Sequence, residues 1–266
     1  MARRTQKNIL HQIITLGRAT EHHLTPFRSV SVPNSNGANK LRATDLHIKR
    51  LLEKGFIEKV PNHMVKRETA RWQYYQATDD GYSFMNMEQH RDYGFFSIGK
   101  NPEHQHGLMT CLASLYPAYQ GDMEVEHGPR ADKYGYNVDA VVHPSDHPSL
   151  LVEFESSKGF NELVNDIRTR DKKLKIPKDW KILYILNNTR NANKNSRNFN
   201  VMEPSRIHDI PDPDMERKTE KFLADLLYEL RDLPSYRYRF ACFHEFQHFH
   251  ESVWRAPGKR ESFKIH

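Results

Sequence analysis

Three carboxylates and an amine stand close together midway along the chain: Asp139, then Glu153 and Glu155 two positions apart, then Lys158. Residues 136–142 (YNVDAVV) and 150–155 (LLVEFE) are apolar and β-favouring, and HPSDHPS between them reads as a turn, so two neighbouring strands are expected. Residues two apart on a regular strand point to the same face, which puts Glu153 and Glu155 together. Carboxylates converging from paired strands repel one another unless a cation sits between them. An all-oxygen site of this kind suits Mg²⁺ or Mn²⁺. Such an ion can generate hydroxide and neutralise charge on a phosphodiester under attack. The expected metal ligands are therefore Asp139, Glu153 and Glu155, with Glu124 or Glu126 as a further upstream carboxylate. Lys158 is expected to join these three in catalysis, assisting the attacking water or the transition state, or contacting phosphate.

The surrounding segments supply a frame for these groups. Helices are expected over residues 104–119, 160–174 and 215–233, where apolar side chains recur at helical spacing. Short strands are expected at 123–126 and 237–243, and the unbroken apolar run 180–186 (WKILYIL) suits a buried central strand. Arg168, Arg170, Lys172 and Lys173 fall on the helix after Glu155. They suit either phosphate contact or a solvated helix face.

Charge is unevenly placed. The chain of 266 residues carries a net charge of +6. Residues 1–90 hold fourteen Lys/Arg against eight Asp/Glu, and the remainder balances at twenty-six of each. A local basic field is what phosphate binding needs. Helices are expected over 7–16, about 20–30 and 40–54, with 31–39 a loop and Gly55 a C-cap. Strands at 56–60 and 72–77 flank a basic loop over 61–71. Helix, helix, helix, strand, basic loop, strand is the order of a winged helix-turn-helix, and "LLEKGFIEKV … WQYYQATDDGYSFM" is similar to that region of many such domains. A helix fits the major groove, and basic side chains on its free face reach bases and phosphates. The expected DNA-binding residues are Lys40, Arg42, His47, Lys49 and Arg50 on the third helix, and Lys66, Arg67 and Arg71 in the wing.

The spacing of Asp139 and Glu153 resembles the PD-(D/E)XK nucleases, in which a carboxylate on one strand precedes E-x-K on the next. Glu155 stands in the lysine slot here, and Lys158, three residues on, is the candidate substitute. End to end, "LHIKRLLEKGFIEKV", "HGLMTCLASL" and "VDAVV…LLVEFESSKG" resemble the replication-relaxation family of plasmid and phage-type mobile elements. That resemblance implies a winged helix joined to a nuclease-like domain and work on DNA in replication, mobilisation or its regulation. It does not by itself imply cleavage.

The expected fold class is α+β: a winged helix-turn-helix over 5–88, a linker over 89–103, a mixed-sheet nuclease-like domain over 104–245 and a tail over 246–266. The expected function is metal-dependent endonucleolytic hydrolysis. The alternative is a non-catalytic DNA-binding accessory or regulator on a degenerate nuclease fold. Double-stranded DNA is the expected partner, and a homodimer stays open. No run nears the ~18 apolar residues that span a bilayer, and no membrane partner is expected. With two cysteines and no apolar signal segment after the basic start, a cytoplasmic setting is expected. His244-Glu245-Phe246-Gln247-His248 matches the zinc-protease pattern H-E-x-x-H literally. Five-residue matches arise by chance in a chain with sixteen histidines, and its aromatic flanks suit a packed terminal segment.

Overall fold

A computed structural model describes residues 5–24, 36–60, 73–88, 102–128, 131–155, 158–186, 213–243, 253–257 and 262–264. They form a mixed α and β protein of two compact units, Met1–Val125 and Glu126–His266. No helix among the described residues is long and apolar enough to cross a membrane.

In the first unit, α1 (Gln6–Leu16) starts where the Thr5 hydroxyl accepts the Asn8 N–H at 3.3 Å. It stops at Gly17, whose φ of 75° suits a residue without Cβ. Ile9, Leu10, Ile13, Ile14 and Leu16 are buried, as their spacing predicts. A short α2 (Glu21–Leu24) precedes α3 (Asn36–Glu53). The polar, Gly-containing composition of 31–39 predicts a loop throughout, yet Asn36–Asn39 are helical. Once a helix is nucleated, each added residue gains a bond, so α3 runs past its apolar stripe. Gly55, at φ 71°, closes it, and Phe56 N–H bonds back to Leu51 O at 3.0 Å. β1 (Ile57–Lys59) then pairs antiparallel with β2 (Tyr75–Ala77). Thr78 caps α4 (Asp79–Met85), and α5 (Pro102–Ala118) is the last helix of this unit. Two buried polar contacts join this unit's segments: the Thr20 N–H donates to His23 Nδ1 at 3.2 Å, and the Tyr74 hydroxyl meets His106 Nδ1 at 3.1 Å.

The second unit is built on a sheet. The chain enters it through β3 (Met123–His127), turns through α6 (Ala131–Tyr134), and continues as β4 (Ala140–Pro144) and β5 (Leu150–Glu155). Helix α7 (Phe160–Lys173) carries it to β6 (Lys181–Leu186), and α8 (Pro213–Glu229) precedes β7 (Tyr238–Cys242). The strand order is β3-β4-β5-β6-β7. β4 and β5 are antiparallel, whereas β5–β6 and β6–β7 are parallel. Parallel neighbours need a long crossover, and the helices are part of those crossovers. Two short strands, β8 (Val253–Arg255) and β9 (Ser262–Lys264), extend the sheet beyond β7 within the stretch expected as a tail. One sheet face, with Val141, Leu151, Ile182, Tyr184, Tyr238 and Phe240, packs in a core with Leu163, Val164 and Ile167 of α7 and Leu223, Leu226 and Leu230 of α8.

The strand expected over 136–142 begins only at Ala140. Tyr136 and Val138 are buried in the core instead, so their apolar character serves packing and not a ladder. Gly135 makes this turn possible. It holds φ 91°, and a Cβ there would collide with the Lys173 carbonyl. Gly135→Ala is therefore expected to destabilise folding by about 2–4 kcal/mol. Gly55→Ala, strained in φ but with open space around its Cβ, is expected to cost only about 1 kcal/mol. Urea unfolding of the two variants checks the difference.

Candidate functional site

The register Ala140↔Val152 puts Asp139, just ahead of β4, opposite Glu153 of β5. Cross-strand partners share a face, and Glu155 follows Glu153 on that face. Asp139 Oδ2 accepts the Phe154 backbone N–H at 2.9 Å. Glu153 is only 2% exposed. Its Oε2 accepts from Arg170 Nη1 at 2.7 Å, whereas its buried Oε1 has no hydrogen-bond partner among the described residues. Glu155 Oε1 accepts from Lys158 Nζ at 2.9 Å and lies 3.3 Å from Arg170 Nη1. Lys158 also bonds Asp166, and Arg170 Nη2 lies 3.3 Å from Asp166 Oδ2.

Helix α7 supplies Arg170 and Asp166, and Lys158 stands just ahead of its N-cap Gly159. Its buried face (Leu163, Val164, Ile167) fixes its rotation. Asp166 and Arg170, four apart, then lie side by side on one flank. The Arg170 guanidinium sits over the Tyr136 ring, 5.3 Å from its centroid. The position of Tyr136 depends in turn on the Gly135 turn.

The electrostatics follow from burial. Among the described residues, four carboxylates (Asp139, Glu153, Glu155, Asp166) face two cations (Lys158, Arg170), so their full ionisation leaves two negative charges in excess. Glu153 bears most of the strain. Burial raises its pKa well above the ordinary value, and Asp139 and Glu155 push the same way against Arg170 and Lys158. Burial works against the Lys158 ammonium, but its bonds to Asp166 and Glu155 outweigh that and hold its pKa up. Burial opposes ionisation of Asp166 as well, yet Lys158 and Arg170 keep it below the usual carboxylate range. Arg170 stays charged throughout.

The four residues expected to carry catalysis are thus brought into one cluster. The ligand sphere expected of Asp139, Glu153 and Glu155 is not assembled in it. Among the described residues no group of three or more His, Cys, Asp or Glu side chains is arranged to hold a metal ion. Arg170 and Lys158 bond the carboxylate oxygens that would face such an ion. By donor chemistry the residues do fit a divalent cation: every donor is oxygen, the charge excess is two, and one buried oxygen of Glu153 lacks a partner. A cation that also drew on Glu153 Oε2 and Glu155 Oε1 would compete with Arg170 for them.

Glu126 is committed elsewhere, bonding Lys133 at 2.6 Å and Tyr134 at 2.8 Å. Arg168 turns to the Glu229 carbonyl at 2.9 Å and away from the cluster's bonds. Sequence reasoning left Arg170 among four interchangeable basic residues. The available signal was its i,i+4 spacing from Asp166, combined with the apolar stripe that fixes the helix face.

In the first unit, α3 presents Lys49 and Arg50 to solvent, with Glu53 4.0 Å from Lys49. His47 is half-buried. Lys40 and Arg42 fall on α3, but their side chains lie outside the described residues, as do Lys66, Arg67, Arg71 and the His244, Glu245, His248 match. Comparison with protein-family models, curated proteins and solved structures gives no match to this chain.

Because its pKa is raised on folding, Glu153 takes up a proton as the chain folds. The sign follows: its contribution is fully present below the unfolded value of about 4.3 and is lost as pH rises through the raised folded value. Glu153→Gln keeps the shape and removes the titration. Between pH 5 and pH 8 the variant is expected to gain stability relative to wild type, because only the wild type loses this contribution as pH rises. Denaturant melts of both proteins at the two pH values test this, and parallel pH profiles would contradict it.

Proposed function

We propose that the second unit is a divalent-cation-dependent phosphodiesterase acting on DNA, and that the first unit is a winged helix that docks on the duplex. The observation that carries this reading is the buried Glu153 opposite Asp139, one of whose oxygens has no hydrogen-bond partner among the described residues. The order β3, α6, β4, β5, α7, β6, with an acidic residue before one central strand and two on the next, supports a nuclease-like assignment. It also agrees with the resemblance to replication-relaxation proteins of mobile elements.

Asp139, Glu153 and Glu155 would hold Mg²⁺ or Mn²⁺. When bound, such an ion activates water and offsets charge on the phosphate. Lys158, kept protonated by Asp166 and Glu155, donates to a phosphate oxygen and stabilises charge that builds during attack. Asp166 holds Lys158 in position. On the first unit, Lys49 and Arg50 of α3 face outward where phosphate and base edges can be reached.

A second reading has its own supporting observation. Arg170 and Lys158 already neutralise part of the cluster from within, as in a nuclease-like fold that keeps DNA contacts without cleavage. Incubation with supercoiled plasmid and Mg²⁺ or Mn²⁺ separates the two. Cleavage is expected to yield nicked or linear DNA, with Asp139→Ala and Lys158→Ala each slowing it at least a hundredfold. A footprint without nicking, or nicking untouched by Asp139→Ala, would favour the non-catalytic reading. Arg50→Ala is expected to weaken binding about equally across DNA sequences and to reduce the salt slope by about 1. Filter binding from 50 to 200 mM salt measures that.

A further inference from the structure

We propose that Arg170 is a built-in counter-ion that a divalent cation must displace, and that the displaced guanidinium then becomes the contact for the substrate phosphate. This rests on the cation-dependent centre proposed above and assigns its loading step and phosphate clamp to one side chain.

Three features single out Arg170. Its Nη1 is shared between Glu153 Oε2 at 2.7 Å and Glu155 Oε1 at 3.3 Å, two of the three carboxylates that would hold the cation. Its other terminal nitrogen, Nη2, lies 3.3 Å from Asp166, a residue outside that set. Its side chain retains 20% exposure, against 3% for Glu153, so it is the more open member of that pair. A divalent ion that draws on Glu153 Oε2 and Glu155 Oε1 competes with the guanidinium for those two oxygens, since each brings positive charge to the same atoms.

Displacement does not require Arg170 to become unpaired. Asp166 and the Tyr136 ring, 5.3 Å away, remain within its reach as a second resting place. A guanidinium held there keeps its planar fork of donors for two oxygens of one phosphate, which Lys158, a point donor, does not offer. The wild type would therefore bind cation weakly alone and more tightly with DNA, whose phosphate recovers the contacts that Arg170 gave up.

The test uses the full chain at pH 8 and two measurements. In wild type, the Arg170 Nε–Hε resonance, identified by its loss in Arg170→Lys, is followed by NMR through a Mg²⁺ titration. Mn²⁺ binding by wild type, Arg170→Met and Asp139→Asn is measured by electron paramagnetic resonance. The expected results are a saturable shift of the Arg170 resonance and Mn²⁺ binding at least tenfold tighter in Arg170→Met, with slower plasmid nicking by that variant. If wild type binds Mn²⁺ through Asp139 while the resonance stays fixed, Arg170 is not displaced. The proposal then fails and the nuclease reading survives. If neither wild type nor Arg170→Met binds Mn²⁺, both fail together. The wild-type titration decides the matter even where Arg170→Met does not fold.

Discussion

A carboxylate with almost no access to water is the constraint around which the second unit is arranged. Glu153 faces Asp139 across the strand pair and Glu155 along its own strand, and only one of its two oxygens is bonded among the described residues. An isolated buried charge of this kind costs several kcal/mol unless it is paired or protonated. The fold meets that cost with Arg170 from the neighbouring helix and with a raised pKa. Replacing the group with an apolar side chain would be simpler for stability alone.

The architecture supplies what the cluster needs. β4 and β5 run antiparallel, so Asp139 and Glu153 meet as cross-strand partners. β5 and β6 run parallel, which brings α7 back across the sheet. The apolar stripe of α7 then fixes which of its polar residues reach the carboxylates. The Gly135 turn places Tyr136 under the guanidinium. Sheet register, helix rotation and one left-handed glycine together locate the carboxylates, Arg170 and Tyr136, and Lys158 lies on the short link from β5 to α7.

Much of this was legible in the sequence, for physical reasons. LLVEFE and WKILYIL announce themselves because buried strands must be apolar, and β5 falls on 150–155 as expected. The 160–174 helix was equally readable from its spacing. The same logic failed at YNVDAVV, because apolar residues packed beneath a turn look like a strand. It failed again at Asn36–Asn39, where helix propagation overrode a loop-like composition. The proximity of Asp139 and the two glutamates followed from spacing alone. The seating of Arg170 among them did not, since a basic residue on a half-exposed helix reads the same whether it faces water or a carboxylate. The wing residues and the terminal histidines lie outside the described residues.

The most direct test of the central claim is anomalous X-ray scattering from crystals of the protein soaked in Mn²⁺. The account predicts one manganese peak within bonding distance of Asp139 and Glu153, with the Arg170 guanidinium turned towards Asp166. Crystals that show Arg170 still bonded to Glu153 and no peak at the cluster, at millimolar Mn²⁺, would contradict it.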